Sequence, residues 1–190
     1  MEKKENQRIK LTKALLRNSL IDLMYTKSIN KISVKALCEH ADINRSTFYL
    51  YYTDQFALLK EIEENLLLNT KEHLKHIDSN VNNIHYLMEL LSYMKMNSSI
   101  FFILLCRQEN TVFQTTFINT SIQNLKIILD IKCDEKISEY LYCYLTRGNL
   151  GLITKWFEAG FDMSPEELAK LIFLFSDQIA SMYDVSKKKN

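Results

Sequence analysis

Apolar residues recur every three or four positions along almost the whole chain, the mark of helices that each bury one face. In the first segment Ile9, Leu16, Leu20 and Leu23 share a side while Lys10, Lys13 and Arg17 occupy others, predicting a helix over about Asn6–Thr26. Val34, Leu37, Cys38 and Ala41 repeat the pattern in one short helix, with Ser33 placed to cap its N-terminus. At Ala41-Asp42-Ile43 the period breaks. The chain must turn there, and Asp42 stands where a left-handed residue is needed, a conformation its short polar side chain tolerates. Ile43 and Phe48 are expected to point back to Leu37. Asn44 is placed to cap a second short helix from Arg45 to about Tyr51, and Thr53 or Asp54 to open a longer one. In that longer helix Phe56, Leu59, Ile62, Leu66 and Leu67 predict the core-facing stripe.

Further along, polar breaks at Asp78-Ser79-Asn80 with Asn82-Asn83, at Met96-Asn97-Ser98 and at Glu109-Asn110-Thr111 separate three predicted helices. These span about Ile84–Lys95, Ser99–Gln108 and Val112–Leu129. The segment Asp130–Glu135 precedes a long helix, about Lys136–Ala159, which Gly160 ends. Ser164-Pro165-Glu166-Glu167 starts a last helix, with Pro in its first turn and acids near its positive end. It runs to about Val185, ahead of a basic tail, Lys187–Lys189. Glycine occurs only at 148, 151 and 160 and proline only at 165. A strand-rich fold needs more turn residues than that, so the expected class is all-α. The three helices over 1–53, with a tight turn between the second and third, have the layout of a helix-turn-helix DNA-binding domain, and a larger helical domain is expected over 54–190.

The charge distribution sharpens this picture. Residues 1–60 hold 11 Lys and Arg against 6 Asp and Glu, whereas the remainder holds 13 against 17. A basic head on a mildly acidic body suits a nucleic-acid contact surface at the N-terminal end. The first residues of the second helix in such a motif reach base edges in the major groove. Here they are Arg45, Ser46 and Thr47, of which Arg45 suits bidentate pairing with guanine. Tyr49 and Tyr52 offer hydroxyls to phosphate oxygens and Lys35 a charge; Asn44, Tyr51 and Gln55 complete the candidate DNA-contact set.

Other chemistries find little support. The four cysteines, at 38, 106, 133 and 143, lack metal-ligand spacing and are expected to be buried reduced thiols. His73 and His76 lie three apart, with His85 further on, in polar surroundings that suit solvated side chains better than a metal site. No phosphate-binding loop, nucleophile elbow or His-Glu-x-x-His element is present, so no enzyme, metal or cofactor is expected. The longest apolar run, Ile100–Cys106, is too short to span a membrane. The charged segment Met1–Lys10 lacks the apolar core of a secretion signal, so the expected location is cytoplasmic.

The run Ala41–Leu59 resembles the DNA-binding domain of TetR-family transcriptional regulators, matching at Ile43, Ser46, Thr47, Phe48, Tyr49, Tyr52, Leu58 and Leu59. Asp42 stands where that family usually has Gly, and Gln55 where a Lys usually faces phosphate. A second stretch, Arg147–Leu171, resembles the C-terminal region of one TetR subgroup, with Gly148-x-x-Gly151-x-Ile153-x-x-Trp156 followed by Gly160 and Ser164-x-Glu166-Glu167-Leu168. The resemblance implies a homodimer on a palindromic double-stranded DNA operator, repressing transcription. It makes the domain over 54–190 one for effector binding and dimerisation, with Trp156, Leu171 and Phe175 of the last two helices at the dimer interface; the alternative is that these two helices simply close the core of the single chain. It also implies an effector pocket in the helical body, for which Tyr93, Met96, Phe101, Phe102, Phe117 and Tyr144 are candidate lining, the alternative being that they are plain core; the phenylalanines point to a small apolar or aromatic effector. The rival expectation, kept alive by Gln55 and the near-neutral charge, is a protein-interaction adaptor that kept the fold and lost operator binding.

Overall fold

The computed structural model describes residues 2–74, 83–107, 111–129 and 131–183. The expected loop at 78–80, the break at 109–110, the helix ends at Gln108 and Val185, His76 and the basic tail 187–189 lie outside them. Among the described residues the regular structure is helical, without strands: α1 (Glu2–Met24), α2 (Val34–Ala41), α3 (Arg45–Phe48), α4 (Gln55–Leu74), α5 (Asn83–Met96), α6 (Ser98–Cys106), α7 (Thr111–Leu129), α8 (Glu135–Glu158) and α9 (Pro165–Tyr183). A short 3-10 turn, Ile29–Lys31, links α1 to α2; so short a turn leaves no periodic signal in the sequence. Residues 1–67 and 68–190 form two compact units, so α4 begins in the first and ends in the second.

In the first unit α1 packs on α2 and α2 on α3. Leu16, Leu20 and Met24 of α1 are buried, as are Ile32, Leu37, Cys38, Ala41 and Phe48. The caps fall as the residue types dictate. Ser33 Oγ accepts from Ala36 N–H at 3.1 Å, and of the two candidates ahead of α4 it is Asp54 that caps, accepting from Ala57 N–H at 2.8 Å. In α4 the buried residues of this unit are Leu58, Leu59, Ile62 and Leu66, while Phe56 is exposed. The expected stripe is corrected at its start: the helix register turns Phe56 outward and Leu58 inward.

Asp42 follows α2 in the left-handed region, at φ 52° and ψ 43°, and Ile43 N–H returns to Cys38 O at 3.0 Å. Glycine adopts this conformation without Cβ strain. Asp42→Gly is therefore expected to stabilise the protein by on the order of 0.5–1 kcal/mol in urea denaturation. A loss of stability instead would mean that the Asp42 side chain outweighs its backbone strain.

Glu63 of α4 has Oε1 buried without a hydrogen-bond partner among the described residues. Burial, with the neighbouring charge of Glu64, pushes its carboxyl up to about 7. A carboxyl raised above its unfolded value keeps its proton longer in the folded state. Its contribution is full below the unfolded pKa of about 4.3 and is lost as pH rises through the folded value. Glu63→Gln, which cannot ionise, should match the parent near pH 4. At pH 8 it should exceed the parent by on the order of 1–2 kcal/mol, because solvent screens part of the cost of the charge at this partly exposed residue. Equal urea midpoints for the two proteins at pH 8 would refute this.

In the second unit α5 packs on α9, α7 on α8, and α8 on both α6 and α9. Asp134 caps α8, accepting from Lys136 and Ile137 N–H groups at 3.0 and 3.3 Å. At its other end Gly160, at φ 66°, closes the helix: Phe161 N–H reaches back to Trp156 O and Gly160 N–H to Phe157 O. Ser164 and Glu167 cap α9 reciprocally, each side chain accepting from the other's backbone N–H. The expected burial of all four thiols is corrected: Cys38 is buried, Cys106 and Cys133 are partly so, and Cys143 is exposed. The α8 turn carrying Cys143 also carries Tyr144, and both face outward.

Candidate nucleic-acid interface

The turn at Asp42 sets α3 across the end of α2. Asn44 Oδ1 then accepts both from Ser46 N–H, at 3.2 Å, and from the Ser46 hydroxyl, at 3.1 Å. This cap fixes the first turn of α3 and orients Ser46. Phe48 anchors the helix from below: it is fully buried, with the Tyr49 and Tyr52 rings at 5.5 and 5.6 Å. The helical turn continues past Phe48, since Leu50 N–H bonds Thr47 O and Tyr52 N–H bonds Phe48 O. Residues four apart share a side of such a turn. Arg45 with Tyr49, and Ser46 with Leu50, thus form the outer face, and all four are exposed.

The sequence-predicted contact residues divide accordingly. Lys35, Asn44, Arg45 and Ser46 are exposed, Tyr49 is half exposed, and Thr47, Tyr51 and Gln55 are intermediate. Lys35, Asn44 and Arg45 border one cleft of about 360 Å³ with Cys38, Glu39, Asp42 and Ile43. Lys35 pairs with Glu39 at 3.8 Å, both side chains about two-thirds exposed; such a pair is weak. Tyr52 is the correction. It is buried, its hydroxyl donates to Glu61 Oε1 at 3.0 Å, and Lys13 Nζ donates to Glu61 Oε2 at 2.9 Å. Burial, then the Glu61 hydrogen bond and charge, holds its phenol well above the ordinary range. Tyr52 therefore braces α3 against α1 and α4 instead of offering a hydroxyl to phosphate. Sequence reasoning misses Glu61, because nothing local marks a partner nine residues away.

The second unit separates the other candidates in the same way. Tyr93, Phe101 and Phe117 do come together, with Phe113, in a cluster of rings 5.8–6.4 Å apart. Phe102 is intermediate, whereas Met96 and Tyr144 are exposed. These last two face outward and do not line an interior with the cluster. Trp156 is likewise corrected: it is 2% exposed, edge-on to Phe161 at 4.8 Å, and its Nε1–H donates to Met163 O at 2.8 Å. That places it in the core of the single chain. Leu171 is intermediate and Phe175 is 45% exposed.

An outward apolar face does run along both last helices. On α8 it passes through Ile137, Tyr140, Tyr144, Gly148 and Gly151; on α9 through Phe175 and Met182. A cleft of about 320 Å³, bordered by Tyr144, Gly148, Leu152, Phe175 and Ile179 among others, lies between the two helices. A Cβ added at Gly148 or Gly151 would meet nothing within 4 Å.

The family model TetR_C_8, described as the transcriptional regulator C-terminal region, matches residues 81–178, more than half of the chain. This chain belongs to the TetR family of transcriptional regulators. Two regulators of Bacillus subtilis (strain 168) are similar to this TetR-family chain over shorter stretches. The uncharacterized HTH-type transcriptional regulator YxbF is 26% identical over 72 residues, 38% of this chain and 19% of that protein. The uncharacterized HTH-type transcriptional regulator YvdT is 34% identical over 55 residues, 29% of this chain and 28% of that protein. The matches thus span under a third of either relative's length. Solved structures share the fold across nearly the whole chain. A TetR transcriptional regulator from Streptococcus agalactiae 2603V superposes with a TM-score of 0.68 at 23% identity, covering 93% of this chain and 99% of that one. The dihydroxyacetone kinase operon activator DhaS gives 0.62 at 20% identity, covering 91% and 98%. The family is one of regulators, not of enzymes. Among the described residues no helix is long and apolar enough to cross a membrane.

Proposed function

We propose that this TetR-family regulator is a repressor that binds a palindromic operator as a homodimer and is modulated by a small apolar or aromatic effector. The observation that carries the DNA half is the outer face of α3. There Arg45 and Ser46 stand exposed on a helix fixed from behind by the Asn44 cap and the buried Phe48. Arg45 reads guanine, Ser46 and Thr47 let the helix approach closely, and Asn44, Tyr49, Tyr51, Gln55 and Lys35 set its register on the backbone. A phosphate competes easily with the weak Lys35–Glu39 pair. The dimer half is supported by the apolar face of α8 and α9, since unpartnered patches of this kind mark association surfaces. An isologous pairing of that face presents two α3 helices to two half-sites. The effector half is supported by the cluster of Tyr93, Phe101, Phe113 and Phe117 rings in the second unit, side chains of the kind that line apolar ligand sites.

Arg45→Ala tests the base-reading role. On a duplex selected by the parent protein it should lose about 1–3 kcal/mol of discrimination at one base pair per half-site, with the fold intact. The measurement is titration against a panel of single-base substitutions. An unchanged preference at every position would remove Arg45 from base reading.

A further inference from the structure

The outer face of α3 contains one side chain that hydrogen bonding cannot use. Leu50 is 75% exposed, more than any other large apolar residue described in the first unit. A single exposed leucine is ordinary on a protein surface. This one is set apart by its position. It lies one turn beyond Ser46 on the face that also carries Arg45 and Tyr49, and its backbone is held in that turn by the bond from Leu50 N–H to Thr47 O. The opposite face is taken by Phe48 and Tyr52, both buried. Leu50 therefore projects where the base-reading residues project.

Apolar chemistry is scarce on the base edges of the major groove: thymine alone among the four bases offers a methyl group there, at C5. We infer that Leu50 is a specificity-determining residue that packs against a thymine methyl in each half-site. This deepens the operator-binding reading above and rests on it. Arg45 and Leu50 then select differently, the first by paired hydrogen bonds to guanine, the second by burying a methyl. Phosphate contacts cannot supply the second kind of selection, because they carry no sequence information.

The test uses the full-length protein and an operator selected by it from random duplexes. Each thymine is replaced in turn by deoxyuridine, which removes the methyl and keeps every hydrogen-bonding group. At one position per half-site the parent protein should bind about fourfold more weakly, the effect of exposing one methyl-sized group. The same replacement in both half-sites should cost roughly fifteenfold. Leu50→Ala should bind the thymine and deoxyuridine duplexes alike at that position, while keeping its preference at the Arg45 position. Leu50→Asn should move the preference there toward adenine. The inference is overturned if no deoxyuridine weakens parent binding, or if Leu50→Ala keeps the same penalty. Selection of no sequence by the parent protein would instead overturn the operator reading, and this inference with it.

Discussion

Replacing Gly151 by leucine is expected to leave the single chain folded and to abolish its pairing. In a helix, glycine is less favourable than leucine by up to about 1 kcal/mol. Since a Cβ at this position meets nothing within 4 Å, the substitution should hold or raise the unfolding midpoint. In a dimer formed through α8 and α9 the same side chain stands between two helices that must approach closely. Phe175→Glu attacks that face differently, by placing a charge on its α9 side. Both variants should sediment at the mass of one chain, 22.4 kDa, under conditions where the parent protein sediments at twice that mass. Operator affinity should fall by about 10²–10⁴-fold, because the second half-site is no longer reached at the effective concentration that a linked pair of readers provides. A monomeric parent protein at micromolar concentration, or variants that still pair, would show that the α8 and α9 face is not the dimer interface.

Trp156→Ala should produce the largest loss of stability, about 3–5 kcal/mol. The ring is buried against Phe157 and Phe161, and its Nε1–H donates to Met163 O in the loop between α8 and α9. Alanine leaves a cavity and deprives that carbonyl of its donor. Trp156→Phe keeps much of the packing and should cost less, about 1–2 kcal/mol, chiefly through the lost hydrogen bond. Lys95 lies 5.9 Å from the Trp156 ring and 5.1 Å from that of Phe161. It is exposed, so its cation–π contribution should be under about 1 kcal/mol. Urea denaturation followed by far-ultraviolet circular dichroism measures all of this without relying on the tryptophan itself. A loss below about 1 kcal/mol for the alanine variant would mean that Trp156 faces a surface and is not part of the core.

The elements were legible from the sequence wherever a local rule decides. Periodicity located the helices, and Ser33, Asn44 and Gly160 marked their ends. The left-handed turn fell on Asp42 because the chain had to reverse there with no glycine available. What the sequence left open was which side of a helix meets which partner. Tyr52 and Tyr49 look alike in the motif, yet one is held by Glu61 in the core while the other stands in solvent. Trp156 and Phe175 both read as apolar residues of the last two helices, but only Phe175 faces outward. Met96 and Tyr144 enter the candidate pocket on residue type alone, and both are exposed. An exposed leucine has no signature of its own in a sequence; Leu50 takes its meaning from sharing a face with Ser46.

Selection from a library of random duplexes by the unmodified protein, at low and at physiological salt, tests the central claim most directly. A dimeric operator reader enriches one motif with two inverted half-sites separated by one helical turn or a multiple of it, and the enrichment survives at the higher salt. Binding that is uniform across sequences and vanishes with added salt would contradict operator reading, and would favour an adaptor that keeps the TetR fold without it.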